Sequence, residues 1–183
     1  MRHALRNGRL AIGVTVALLS PSIATAQPGS VPRDLSSALD AAYPGWRVAT
    51  TTGFPNERQW LRGDFDGNGR ADYAIQIVQA AQDRGVRDDQ RQVVLVAWPR
   101  RGDRSHGFEF TVVRAEPVSD LTYLALARRG ERVADLDADE NGTRSYKLIH
   151  DGIHILYGEV AGITCQVAPN VSLRRFQCRT SGD

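Results

Sequence analysis

The stretch Gly63-Asp64-Phe65-Asp66-Gly67-Asn68-Gly69-Arg70-Ala71-Asp72-Tyr73-Ala74-Ile75-Gln76-Ile77 decides how the rest of the chain is read. Its first half is acidic and broken by two glycines, which let a backbone coil without a Cβ clash. From Asp72 onward Tyr73, Ile75 and Ile77 alternate with Ala74 and Gln76. That is the two-residue period of a strand with distinct faces. An acidic loop feeding directly into a strand belongs to β-structure.

Outward from this loop, strand signals dominate. Val93-Val94-Leu95-Val96-Ala97-Trp98 is an almost unbroken apolar run within 92–98, the mark of a strand covered on both faces. Short strands are also expected over 47–51, 146–150, 153–157, 161–167 and 173–179. The segment 121–127 fits a strand or one helical segment and is read as strand because its neighbours are strands. Asp151-Gly152 reads as a hairpin turn and Ala168-Pro169-Asn170 as another. One segment breaks the pattern. Leu35, Leu39 and Ala42 or Tyr43 recur at helical spacing over 33–43, with Pro32 before them and Pro44-Gly45 after them. The expected fold class is therefore α+β. It has one N-terminal helix packed on a mostly antiparallel sheet of about seven or eight short strands.

The first 26 residues read as a secretory signal peptide. Arg2, Arg6 and Arg9 precede the apolar stretch Leu10–Leu19, and Ala24-Thr25-Ala26 is a small-x-small cleavage signature before Gln27. The apolar run falls short of the roughly 20 residues that span a bilayer. No later stretch is apolar enough to cross, so the mature chain is expected to have no transmembrane segment. Residues 27–183 are expected to form a single domain with the calcium-type loop at 64–72. The expected destination is the periplasm or the medium.

Without those 26 residues, three of the 23 basic side chains are lost and none of the 21 acidic ones, leaving 20 against 21. A near-neutral chain with no clustered basic face excludes the electrostatic footprint of a nucleic-acid binder. In an oxidising compartment the two cysteines, Cys165 and Cys178, are expected to join as a disulfide across a strand–turn–strand. In the chain-entropy picture it adds about 3 kcal/mol.

The loop carries the one sharp chemical signal. Counting Asp64 as position one puts Asp66 at three, Asn68 at five, the Arg70 carbonyl at seven and Asp72 at nine. Alternate oxygen donors suit calcium, a hard cation that takes six to eight oxygen ligands. Position twelve is Ile75, where an EF-hand needs a bidentate Glu, and a strand follows instead of a helix. The motif closely resembles the FG-GAP or VCBS repeat, the calcium-loop repeat of integrin α-chain propellers, over about residues 62–77. That resemblance implies side-chain ligation by Asp64, Asp66, Asn68 and Asp72 and carbonyl ligation by Arg70. Asn68 replaces the usual Asp, which removes one negative charge. The motif occurs convincingly once, which excludes a propeller. The wider layout is similar to a group of small exported bacterial proteins of uncharacterised function. Its markers are Pro44-Gly45-Trp46, the segment from Lys147 to Ile153 and a last strand containing Phe176.

Other candidates are weaker. The segment 135–142 alternates carboxylates but has Thr143 at position nine, so a solvated loop is expected, with a second ion as the open alternative. His150 and His154, four apart on a strand, would lie roughly 13 Å from each other, too far for one zinc, with a fold at the Asp151-Gly152 turn that brings them closer as the open alternative. Arg100, Arg101 and Arg104 read as a solvated basic turn. No nucleophile–base motif, phosphate loop or His-Glu-x-x-His is present. The reading is a small exported calcium-binding protein, its ion mainly structural, acting as a binding or accessory module on an envelope or protein partner. An exported hydrolase whose site the sequence does not reveal is the alternative.

Overall fold

The structure is a computed structural model and describes residues 30–53, 57–80, 90–100, 107–136, 144–158, 161–169 and 174–181. The expected signal peptide lies outside these residues. So do most of the 135–142 acidic loop, Arg101 and Arg104 of the basic turn, and Asn170 of the second turn.

The α+β expectation is corrected. Strands make up 56% of the described residues and helix 8%, and the strands form several antiparallel sheets in a β-sandwich-like fold. Helix α1 spans Arg33–Ala42. The strands are β1 Arg47–Val48, β2 Trp60–Gly63, β3 Asp72–Ala80, β4 Gln90–Pro99, β5 Phe108–Pro117 and β6 Thr122–Ala127. They continue with β7 Arg132–Asp135, β8 Arg144–Lys147, β9 Gly152–Tyr157, β10 Ala161–Val167 and β11 Phe176–Ser181. There are thus eleven described strands, not seven or eight, and they divide among three sheets.

The first sheet runs β1-β3-β4-β5, with β2 sharing the β1 edge of β3. The second runs β11-β10-β9-β6, and β7 with β8 forms a two-stranded ribbon. The two larger sheets face each other across one core. Leu61, Phe65, Ala74, Val94, Val96 and Trp98 come from the first side, and Leu124, Ile153, Ile155, Cys165 and Val167 from the second. On the outer face of the first sheet, Leu35 and Leu39 of α1 pack on Ile75, Ile77, Val93, Leu95 and Ala97. This double covering explains why β4 lacks apolar–polar alternation. Its odd-numbered residues meet the helix and its even-numbered ones meet the second sheet. Ala127, Val133 and Leu148 make a small third cluster beneath the ribbon.

Several strand bounds move. The expected strand at 47–51 is reduced to two residues, and that at 173–179 shifts to 176–181. The expected strand at 146–150 ends at Lys147, because it pairs with β7 as the ribbon and not with β9. Asp151-Gly152 is accordingly not a hairpin turn, since β9 pairs with β6 and β10. The β4–β5 ladder slips between Val94 and Leu95, with Arg114 and Val112 as their partners. Val113 is thus the extra residue of a bulge and turns inward onto the core.

Cys165 and Cys178 are opposite each other in the β10–β11 ladder and are joined as a disulfide. Such a bond fits an oxidising compartment. No helix among the described residues is long and apolar enough to cross a membrane.

Candidate metal centre

The acidic loop is the connection between β2 and β3, closed by the Gly63–Asp72 pair at the end of their ladder. Phe65, fully buried, anchors the loop in the sandwich core. A Cβ at Gly63 would lie 2.9 Å from the Phe65 ring and 3.1 Å from Leu126, so this position accepts only glycine without repacking. Gly67 and Gly69 take φ of 72° and 80°, the left-handed region that other residues enter at a cost.

The loop is coiled by its own side chains. Asp66 Oδ1 accepts from the Asn68 N–H at 3.2 Å, and Asn68 Oδ1 from the Arg70 N–H at 2.8 Å. Both are the local turns that Asp and Asn favour. Asp64 Oδ2 accepts from the Gly69 N–H at 2.9 Å, and Asp72 Oδ2 from the Phe65 N–H at 3.1 Å. The result gathers three carboxylates. One oxygen each from Asp64, Asp66 and Asp72 lies within 4.8 Å of the others, an arrangement able to hold a metal ion. Asp64 Oδ1 is buried and has no hydrogen-bond partner among the described residues.

The electrostatics record this crowding. Asp72 is 1% exposed. Burial raises its carboxyl to about 7, with the neighbouring charges of Asp66 and Asp64 pushing the same way. The Phe65 N–H and Arg174 pull against them. Arg174 is the local counter-charge. Its guanidinium lies 3.2 Å from Asp66 Oδ2 and 3.4 Å from Glu109 Oε2, and it sits 4.5 Å above the Trp98 ring. Trp98 in turn stacks on Phe176 at 6.0 Å. The segment leading into β11 thus presses a cation against the loop.

No protein-family model, curated protein or solved structure matches this chain. The resemblance to integrin-type repeats therefore rests on the loop residues themselves.

Three residues outside the expected ligand set support the loop. Asp151, 87 residues from Asp64, accepts the Asp64 N–H through Oδ2 at 3.0 Å and the Arg129 N–H through Oδ1 at 3.0 Å. His150 packs its ring where a Gly67 side chain would be, with its Nδ1 buried and unpaired among the described residues. Arg174 is the third. All reach the loop through tertiary pairing, which spacing along the chain does not encode.

The two histidines serve separate places, although His150 precedes β9 and does not lie on the expected strand. His154 Nε2 lies 2.9 Å from Glu131 Oε1 and its Nδ1 2.8 Å from Thr164 Oγ1. Thr164 Oγ1 bonds Ser181 Oγ at 3.0 Å. This acid–His–hydroxyl chain resembles a nucleophile relay on paper. The hydroxyl on the imidazole belongs to Thr164, which is completely buried, so no substrate reaches it. Asp135 pairs with Arg179 at the edge of β11, and Arg179 lies 4.8 Å above the Tyr146 ring.

Proposed function

We propose that the 64–72 loop binds calcium, with the ion mainly structural, in a small exported binding or accessory module of the cell envelope. The carrying observation is that one carboxylate oxygen each from Asp64, Asp66 and Asp72 lies within 4.8 Å of the others, with Asp64 Oδ1 buried and unpaired among the described residues. Carboxylates alone, with no thiolate and no imidazole among the gathered ligands, suit a hard cation over zinc. Asn68 and the Arg70 carbonyl complete the proposed ligand set. The ion would offset a repulsion that the fold otherwise leaves in place, and so fasten the β2–β3 connection.

Calorimetry of the purified, disulfide-bonded chain tests this reading. Calcium should bind with one site, and EDTA should lower the melting temperature by several degrees. Asp66→Ala should abolish both effects. No binding heat at millimolar calcium, together with an unchanged melting temperature in EDTA, defeats the proposal. The accessory role is tested separately, by identifying what co-purifies with the chain from its own envelope. Among the described residues the hydrolase alternative draws on the His154 chain, and the burial of Thr164 speaks against it.

A further inference from the structure

The sandwich interior has two ends of opposite character. Near the acidic loop it is filled by Leu61, Phe65, Trp98 and Ile153. At the other end the same inward faces carry Gln59, Gln76, Gln92 and Glu116 from the first sheet side, and Thr122 from the second sheet.

The register makes these residues neighbours. The Gln76 N–H donates to the Gln59 carbonyl at 2.8 Å. Gln92 is opposite Val78, one step along the same face from the Gln76–Val94 pair. Glu116 is opposite Gln92, and Tyr157 is opposite Thr122. The Tyr157 hydroxyl donates to Glu116 Oε2 at 2.9 Å, bridging the sheets. Thr51 closes the ring: its hydroxyl donates to the Thr122 carbonyl at 3.1 Å and accepts from Gln59 Nε2.

Exposure is 0% for Gln76, 1% for Gln92 and 1% for Thr122. Yet six buried side-chain atoms here have no hydrogen-bond partner among the described residues. They are Gln59 Oε1, Gln76 Oε1 and Nε2, Gln92 Nε2, Glu116 Oε1 and Thr122 Oγ1. Native interiors leave very few such atoms unpaired, because a buried group that loses water and gains nothing carries the whole desolvation cost. The six include donors and acceptors in near balance: two amide nitrogens, three acceptor oxygens and a hydroxyl that does both. An ion would satisfy only one half of that set. Glu116 already has Arg114 as its counter-charge at 3.0 Å.

We infer that this end of the sandwich encloses ordered water molecules bound by Gln59, Gln76, Gln92, Glu116 and Thr122. Water donates and accepts at once, and a buried water typically makes about three hydrogen bonds, so six atoms call for about two or three waters. They would link the sheets where apolar contact stops.

Oxygen-17 magnetic relaxation dispersion on the purified, disulfide-bonded chain counts internal waters. About two or three long-lived waters are expected in the wild type. Gln76→Leu, which removes two of the six groups, should lose at least one. Should that variant not fold, Thr122→Val makes the same test with a nearly isosteric change. No long-lived water in the wild type, or an unchanged count in the variant that folds, overturns the inference. A small organic molecule released on denaturation and detected by mass spectrometry also overturns it, since the site would then belong to that molecule.

Discussion

At the scale of single residues, Asp72 shows what the loop does to its own chemistry. Its backbone begins β3, so the side chain is fixed beneath the loop, away from water and close to two other carboxylates. The folded chain therefore holds the Asp72 proton up to about pH 7, against an ordinary 3.8 when unfolded. Between those values the metal-free folded state binds more protons than the unfolded state. The Asp72 contribution to stability therefore falls as pH rises from about 4 to about 7 and levels off above that. Urea unfolding in EDTA should reveal this slope in the wild type, and Asp72→Asn should remove that part of it. Saturating calcium should also remove it, because a bound cation holds the carboxylate ionised. A wild-type slope equal to that of Asp72→Asn in EDTA would show that the carboxyl is not strained. The spacing of Asp64, Asp66 and Asp72 made this cluster legible in the sequence. The burial of Asp72 was not legible, because it depends on how the loop folds back to set the Phe65 N–H on its carboxylate, which residue spacing does not encode.

At the scale of elements, the loop is held by segments distant in sequence. Asp151 precedes β9 and fixes the Asp64 backbone, while Arg174 precedes β11 and pairs with Asp66. Arg174 therefore occupies, with its guanidinium, part of the electrostatic role proposed for the cation. Arg174→Gln should act in two directions. The metal-free protein should lose about 0.5–2 kcal/mol, since a partly buried ion pair and a ring contact disappear. Calcium affinity should rise several-fold, since a competing positive charge is removed. Denaturation in EDTA and calcium titration measure the two effects on one variant. Unchanged affinity would show that Arg174 and the cation do not share Asp66. Elements were legible where one rule governed them. Helix α1 had flanking prolines and an apolar period, β4 had an apolar run, and the two cysteines were the only ones in the sequence. Strand β7 was missed because it is four residues long and buries Val133 and Asp135 on one face, an apolar and a charged side chain that together give no hydrophobic period, and its mostly exposed partner β8 was placed two residues late.

At the scale of the molecule, the error in fold class has a physical origin. A helix with a clear apolar stripe invites a two-layer reading, and the number of strands does not reveal how they divide between sheets. What decides it is that β3 and β4 are buried on both faces. Two layers must cover them, and one short helix covers only one. That arrangement also predicts how the molecule unfolds. Ile75 and Ile77 meet the helix, while Ala74 of the same strand faces the second sheet. The outer and inner cores thus share their central strands, and neither should survive loss of the other. Leu39→Ala in the helix layer and Ile155→Ala in the sandwich should each cost about 2–5 kcal/mol. Both should unfold in one transition with the wild-type denaturant slope. Far-UV circular dichroism and tryptophan fluorescence should give coincident curves for each variant. An early, separate loss of helix signal in Leu39→Ala would mean that α1 is an independent cover and that the sandwich stands without it.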